Sequence, residues 1–194
     1  MTKWKRNQKQ TGSEVKTFPI PFPIEGNKES ISFSTNTDEK RSKEEIINQA
    51  IQFHSQGNIQ EAEKSYKYCI EQGFNSDSIF SNYAMILKDQ GHIKEAEILT
   101  IKAIKINPNI ANHHLLLGNI LKDLGQLKEA EVSIRKAIDI DPYLTEAHNN
   151  LGNILRDFGQ LKEAEVSIRK AIEIDPNLTE LYDNLGSLLI DVGQ

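Results

Sequence analysis

The stretch GQLKEAEVSIRKAI stands at Gly125–Ile138 and again, letter for letter, at Gly159–Ile172. The two copies are offset by about 34 residues, and a fixed period of that size marks a repeat array. A unit this small cannot bury its apolar face alone, so its neighbours must stack against it into a solenoid.

Counting outward from the two blocks gives units at Lys43–Ser76, Asp77–Ile110, Ala111–Leu144 and Thr145–Leu178, with a partial unit at Thr179–Gln194. Within the fourth unit His148, Leu151, Gly152 and Leu155 fall at i, i+3, i+4 and i+7, one face of a first helix. Ala164, Ile168, Ala171 and Ile172 do the same for a second helix. Gly159 lies between the two, where a left-handed residue ends the first helix, and Gly57, Gly91, Gly125 and Gly193 are its equivalents. Pro108, Pro142 and Pro176 each follow a second helix, which cannot easily continue through proline.

Small residues explain the close approach of the paired helices. Gly118, Gly152 and Gly186, with Ala50 and Ala84 in the first two units, face Ala62, Ala96, Ala130 and Ala164 and then Ala103, Ala137 and Ala171. Glu131 with Arg135 and Glu165 with Arg169 are i,i+4 pairs on the outward side, solubility features worth a few tenths of a kcal/mol each.

This pattern resembles the tetratricopeptide repeat (TPR) family from Lys43 to the end of the chain, because the Leu/Gly pair, the turn Gly, the two Ala and the closing Pro recur in register. The resemblance implies an all-α, right-handed solenoid of helix-turn-helix repeats with the first helices on its concave side. The first unit departs most: Gln49 replaces an apolar residue, Cys69 replaces the second Ala, and Gly73-Phe74 stand where Asp-Pro is usual. Such departures fit a terminal repeat.

Residues 1–41 are different material, basic at the start and interrupted by proline. Phe18, Ile20, Phe22 and Ile24 alternate with Thr17, Pro19, Pro21 and Pro23, which places the four hydrophobes on one edge of an extended chain. After a turn at Glu25–Lys28, Ser30–Ser34 alternates again around Ile31 and Phe33. A two-stranded ribbon over 17–34 and a disordered tail both fit this composition, and the aligned hydrophobes favour docking onto the array. Met1–Lys16 is expected to be disordered.

Composition narrows the function. The chain of 194 residues is 38% hydrophobic and 26% charged, with a net charge of -5. That sign argues against a general nucleic-acid binder, and with the TPR-type small residues it disfavours an RNA-binding helical repeat. A single cysteine, Cys69, excludes an internal disulfide and suits a reducing compartment. No apolar run is long enough for a membrane span, and MTKWKRNQKQ leads into no hydrophobic signal region, so a cytoplasmic protein is expected.

No catalytic residue, metal site or cofactor is expected. No His-Glu-x-x-His, paired-Cys or phosphate-loop motif occurs. His114 and His148 sit one repeat apart at the first apolar position of the helix, where packing accounts for them. Consecutive helix residues such as His113 and His114 diverge and do not share a metal easily. Cys69 reads as a buried inert thiol.

The candidate site is a row of polar residues on the inward positions of the first helices. Asn48, Asn82, Asn150 and Asn184 come one per unit, with Leu116 breaking the row. One turn further on stand Asn119 and Asn153, and beyond them Lys88, Lys122 and Arg156. An asparagine amide can donate to a peptide carbonyl and accept from a peptide N–H, so such a row can hold an extended peptide by its backbone. Exposure is expected for Asn82, Asn150 and Asn184. The row resembles the asparagine ladder in the TPR arms of O-linked N-acetylglucosamine transferases. The Lys/Asn/Arg carboxylate clamp of chaperone-binding TPR domains is not expected, because Ile47 and Ile51 occupy two of its positions.

Repeat divergence points to the same face. Gly118–Pro142 and Gly152–Pro176 differ only at Lys122/Arg156, Leu124/Phe158 and Asp139/Glu173, whereas Ala111–Leu116 and Thr145–Asn150 share only the histidine. The expected function is a protein–protein interaction module that binds a peptide segment in its concave groove. The alternative, implied by resemblance to the amino-terminal arrays of cyanobacterial-type TPR proteins, is the substrate-recruiting arm of a larger enzyme: a glycosyltransferase, sulfotransferase or oxygenase whose catalytic domain lies beyond Gln194. The unpaired Leu185, Leu188 and Leu189 of the last unit also predict that the chain is a fragment or that its end is covered by a partner, with self-association where the end stays uncapped.

Overall fold

The structure is a computed structural model and describes residues 42–193. The segment 1–41, with the ribbon expected over 17–34 and its edge of Phe18, Ile20, Phe22 and Ile24, lies outside the described residues.

Within them the chain is an all-α solenoid of paired helices. The first helices are α1 (Lys43–Ser55), α3 (Asp77–Asp89), α5 (Ala111–Asp123), α7 (Thr145–Asp157) and α9 (Thr179–Val192). The second helices are α2 (Ile59–Glu71), α4 (Ile93–Ile106), α6 (Leu127–Ile140) and α8 (Leu161–Ile174). Each first helix packs on the second helix that follows it, and each second helix on the next first helix, so contacts run almost wholly between sequence neighbours. That is the quasi-one-dimensional arrangement a repeat imposes.

Local chemistry sets each joint. Ser42 and Glu45 start α1 with a reciprocal capping box: the Glu45 amide donates to Ser42 Oγ at 3.2 Å, and the Ser42 amide to the Glu45 carboxylate at 2.8 Å. Every pair of helices is joined through a glycine at positive φ, 75° at Gly125 and 73° at Gly159. There the Gln126 amide reaches back to the Leu121 carbonyl and the Gln160 amide to that of Leu155, the bonds of a Schellman end. A Cβ at either glycine would meet nothing within 4 Å, so the backbone angle requires glycine and space does not.

The joints between repeats use a second device. The Tyr143 amide donates to the Asp141 carboxylate at 3.0 Å and the Asn177 amide to Asp175 at 3.1 Å, shaping the Asp-Pro turns. The ring of His114 then donates to the Pro108 carbonyl at 2.8 Å, and that of His148 to the Pro142 carbonyl at 3.0 Å. In the last repeat the Tyr182 hydroxyl does the same to Pro176, at 3.0 Å. These histidines therefore tie each turn to the helix it launches, a polar role beyond the packing expected of them. In the first repeat, where Asp-Pro is absent, Gly73 (φ 73°) closes α2 and the Phe74 amide bonds the Cys69 carbonyl.

Two apolar cores result. One gathers Ala50, Ala62, Tyr66, Cys69, Phe80, Tyr83, Ala84 and Ala96 and reaches Ile120. The other runs from Leu115 and Leu121 through Ile134, Leu151, Ile154 and Ile168 to Leu185 and Leu188. Cys69 is fully buried, and burial pushes its thiol above the ordinary value. No helix among the described residues is long and apolar enough to cross a membrane.

Candidate functional site

The first helices also touch one another, α1 with α3, α3 with α5 and α7 with α9, and polar side chains bridge several of them. The residues of the asparagine row lie along this face, but several are already bonded. The Asn150 amide donates to Asn119 Oδ1 at 2.8 Å, and the Asn119 amide to Glu146 at 3.1 Å. The Asn184 amide donates to Asn149 Oδ1 at 2.9 Å. Asn82 bonds the buried Tyr66 hydroxyl. The exposure expected of Asn82, Asn150 and Asn184 therefore needs correction: Asn150 is 8% exposed, and Asn82 and Asn184 are half-buried, as are Asn119 and Asn153. Only Asn48 is exposed. Neighbouring first helices stand close enough for a short amide to bridge them, and this closeness hides part of each side chain.

Bridging does not exhaust the amides. An asparagine carries two N–H donors and a carbonyl oxygen with two lone pairs. Asn150 and Asn184 each spend one donor on a neighbouring helix, and among the described residues their own carbonyl oxygens are unspent. Asn48 and Asn153 have no side-chain partner among the described residues. Asn119 is the most committed, giving a donor to Glu146 and accepting from Asn150.

The cationic row is largely neutralised. Lys88 lies 3.9 Å from Asp123 on the next first helix and 3.5 Å from Asp89. Arg156 meets Asp191 at 2.5 Å, also one helix on. Lys122 has no ion pair among the described residues. Its counterpart in that pattern would be Asp157. The aspartates were legible as a row, since Asp89, Asp123 and Asp157 directly follow Lys88, Lys122 and Arg156, and Asp191 holds the same place one period on, after Ile190. Sequence reasoning passed over them and also missed Glu146, Asn149 and the pair His113–Asp77, 3.2 Å apart between α5 and α3.

At the amino-terminal end the same face turns apolar. Ile47 and Ile51 pack in part against the first core, and Met85 is exposed. Behind them His54 Nδ1 lies 3.5 Å from the Tyr66 hydroxyl. Burial holds its imidazole below the ordinary value, while the Asp89 carboxylate pulls the other way. Among the described residues no group of three or more His, Cys, Asp or Glu side chains is placed to hold a metal.

Comparison with known proteins agrees with this architecture. Models of the tetratricopeptide repeat match residues 78–110, 114–143 and 145–178, together half of the chain. No curated protein sequence matches. Among solved structures, MamA residues 41-end from Desulfovibrio magneticus RS-1 aligns with a TM-score of 0.69 at 20% identity, over 78% of this chain and 85% of that one. YrrB, described as a TPR protein with an unusual peptide-binding site, aligns with 0.67 at 22% identity, over 80% of each chain. The first TPR of Spaghetti (RPAP3), bound to the HSP90 peptide SRMEEVD, aligns with 0.59 at 18% identity, over 61% of this chain and 94% of that one. At these identities the likeness is one of fold.

Proposed function

The chain belongs to the tetratricopeptide repeat family, a protein-interaction architecture, and on that premise we propose that it holds an extended peptide along its first helices by the peptide's own backbone. One observation carries this reading: the asparagines keep unspent donors and acceptors in a row, while the cations beside them are mostly paired with aspartate. Free amides answer the alternating N–H and C=O of an extended strand. Paired cations do not answer a carboxylate, and Ile47 and Ile51 stand where a carboxylate clamp would need polar groups. Side-chain preference then comes from the flanking groups, apolar around Ile51 and Met85 at the amino-terminal end and cationic at Lys122 on the middle helix α5. Two similar structures are described as peptide-binding or peptide-bound, which supports the class of ligand.

The test is selection from a displayed library of random peptides, followed by titration of the winner. A chain carrying Asn150→Ala, Asn153→Ala and Asn184→Ala together is expected to bind at least about tenfold more weakly, since each lost hydrogen bond costs about 0.5–1.5 kcal/mol. Lys88→Ala is expected to bind like the parent. Equal affinity of the triple variant and the parent overturns the reading.

A further inference from the structure

One pair of positions recurs between successive first helices, and its chemistry changes along the array. Between α5 and α7 the pair is Asn119 and Asn150, joined amide to amide at 2.8 Å. One period earlier, between α3 and α5, the same positions hold Met85 and Leu116. These two side chains have no hydrogen bond to exchange, so the break that Leu116 makes in the asparagine row is an apolar rung set beside polar ones. Met85 is 40% exposed, and Leu116 is half-buried and packs in part against the first core. One period earlier again stand Ile51 and Asn82, and the Asn82 amide is taken by the Tyr66 hydroxyl. Apolar groups thus hold this face on α1, α3 and α5 in turn.

A cation lies further along α5. Lys122 is half-buried and pairs with no carboxylate among the described residues, while the adjacent Asp123 is engaged by Lys88 at 3.9 Å. A partly buried ammonium is screened less than an exposed one, so a negative partner gains more by reaching it. Leu116 and Lys122 are six residues apart, which is about 9 Å along the helix axis. An extended chain covers that distance in about three residues.

On the reading that the first helices hold an extended peptide, we propose that this peptide carries a large apolar side chain seated on Met85 and Leu116, and an aspartate or glutamate about three residues from it, paired with Lys122. Amides alone grip any backbone in any register, because every residue presents the same N–H and C=O. One apolar rung removes that freedom. Sliding the peptide by a residue returns its anchor to water and sets a peptide amide against Leu116, where nothing answers it. The unbranched thioether of Met85 adapts to more than one anchor shape. Met85, Leu116 and Lys122 are therefore the specificity-determining residues, and the asparagines hold what they have placed in register.

The full chain is used to select peptides from a displayed random library, and the winners are aligned. They are expected to share one large apolar residue with a carboxylate about three positions from it. Alanine in place of that apolar residue is expected to weaken the winning peptide by about tenfold or more. Met85→Gln changes an exposed side chain; it is expected to leave the melting temperature of the free chain nearly unchanged and to weaken the winner by about fivefold or more. Lys122→Glu is expected to reverse the charge preference, binding the peptide with lysine in place of its carboxylate better than the original. Lys136→Glu, the same charge change at an exposed position of α6, is expected to bind like the parent. Winners that share no apolar residue overturn the proposal, and so does equal affinity of the parent and either Met85→Gln or Lys122→Glu. If those winners still lose affinity in the triple asparagine variant, backbone holding stands and only the register rule falls. A library that yields no binder removes both.

Discussion

Gly152 lies against Ile168 with no room for a Cβ between them, and the Ala164 carbonyl oxygen stands 3.2 Å from where that atom would be. The pair defines the distance between α7 and α8. Gly152→Ala is therefore expected to destabilise the chain although alanine favours the helix. Overpacking costs about 1–3 kcal/mol, against about 1 kcal/mol gained in propensity. Urea midpoints of Gly152→Ala and of Gly118→Ala, where a Cβ would collide with Ile134, should fall, and that of Gly186→Ala, where a Cβ would meet nothing within 4 Å, should rise. Midpoints that move together would contradict the spacing.

Asn150 and Asn153 separate structure from recognition. Asn150 is buried and bonded to Asn119, so Asn150→Ala is expected to cost about 0.5–1.5 kcal/mol of stability. Asn153 has no side-chain partner among the described residues, and Asn153→Ala should leave the urea midpoint within about 0.5 kcal/mol of the parent. Both should weaken peptide binding. A variant at Asn153 that melts early but binds normally would reverse these roles.

The half-buried imidazole of His54 gives the array an acid-sensitive element. Its folded-state pKa is held below the ordinary 6.5, chiefly by burial. The unfolded chain thus takes up the proton first as the pH falls. The stability tied to the neutral ring is present above pH 6.5 and is lost as the pH drops through the lowered folded value. Melting temperatures measured between pH 7 and pH 5 should fall more steeply in the parent than in His54→Gln. Parallel curves would remove His54 from the account.

The fold was legible because repetition writes the same packing instruction several times. Gly at the turn, Ala on the second helix and Pro after it each occupy one place in the period, and the helices begin at Lys43, Asp77, Ala111, Thr145 and Thr179. The polar cross-links were harder to see. Asn150 reaches Asn119, Asn184 reaches Asn149 and Arg156 reaches Asp191, pairs whose separations straddle the period without equalling it. A row drawn through equivalent positions therefore lines up residues that do not touch and misses those that do. The same place in the period shows another limit. His114 and His148 share a letter but Tyr182 does not, and what all three share is a polar hydrogen aimed at a proline carbonyl.

The two apolar cores have no buried residue in common, yet α5 supplies Ile120 to one and Leu115 and Leu121 to the other. A single helix thus acts as the shared wall of two chambers. Whatever loosens one chamber reaches the second chiefly by moving that wall, so the cooperativity of the whole array rests on how firmly α5 is seated. Shaving Ile120 to alanine should cost more than a cavity: the single melting transition should divide into two, the amino-terminal chamber opening first.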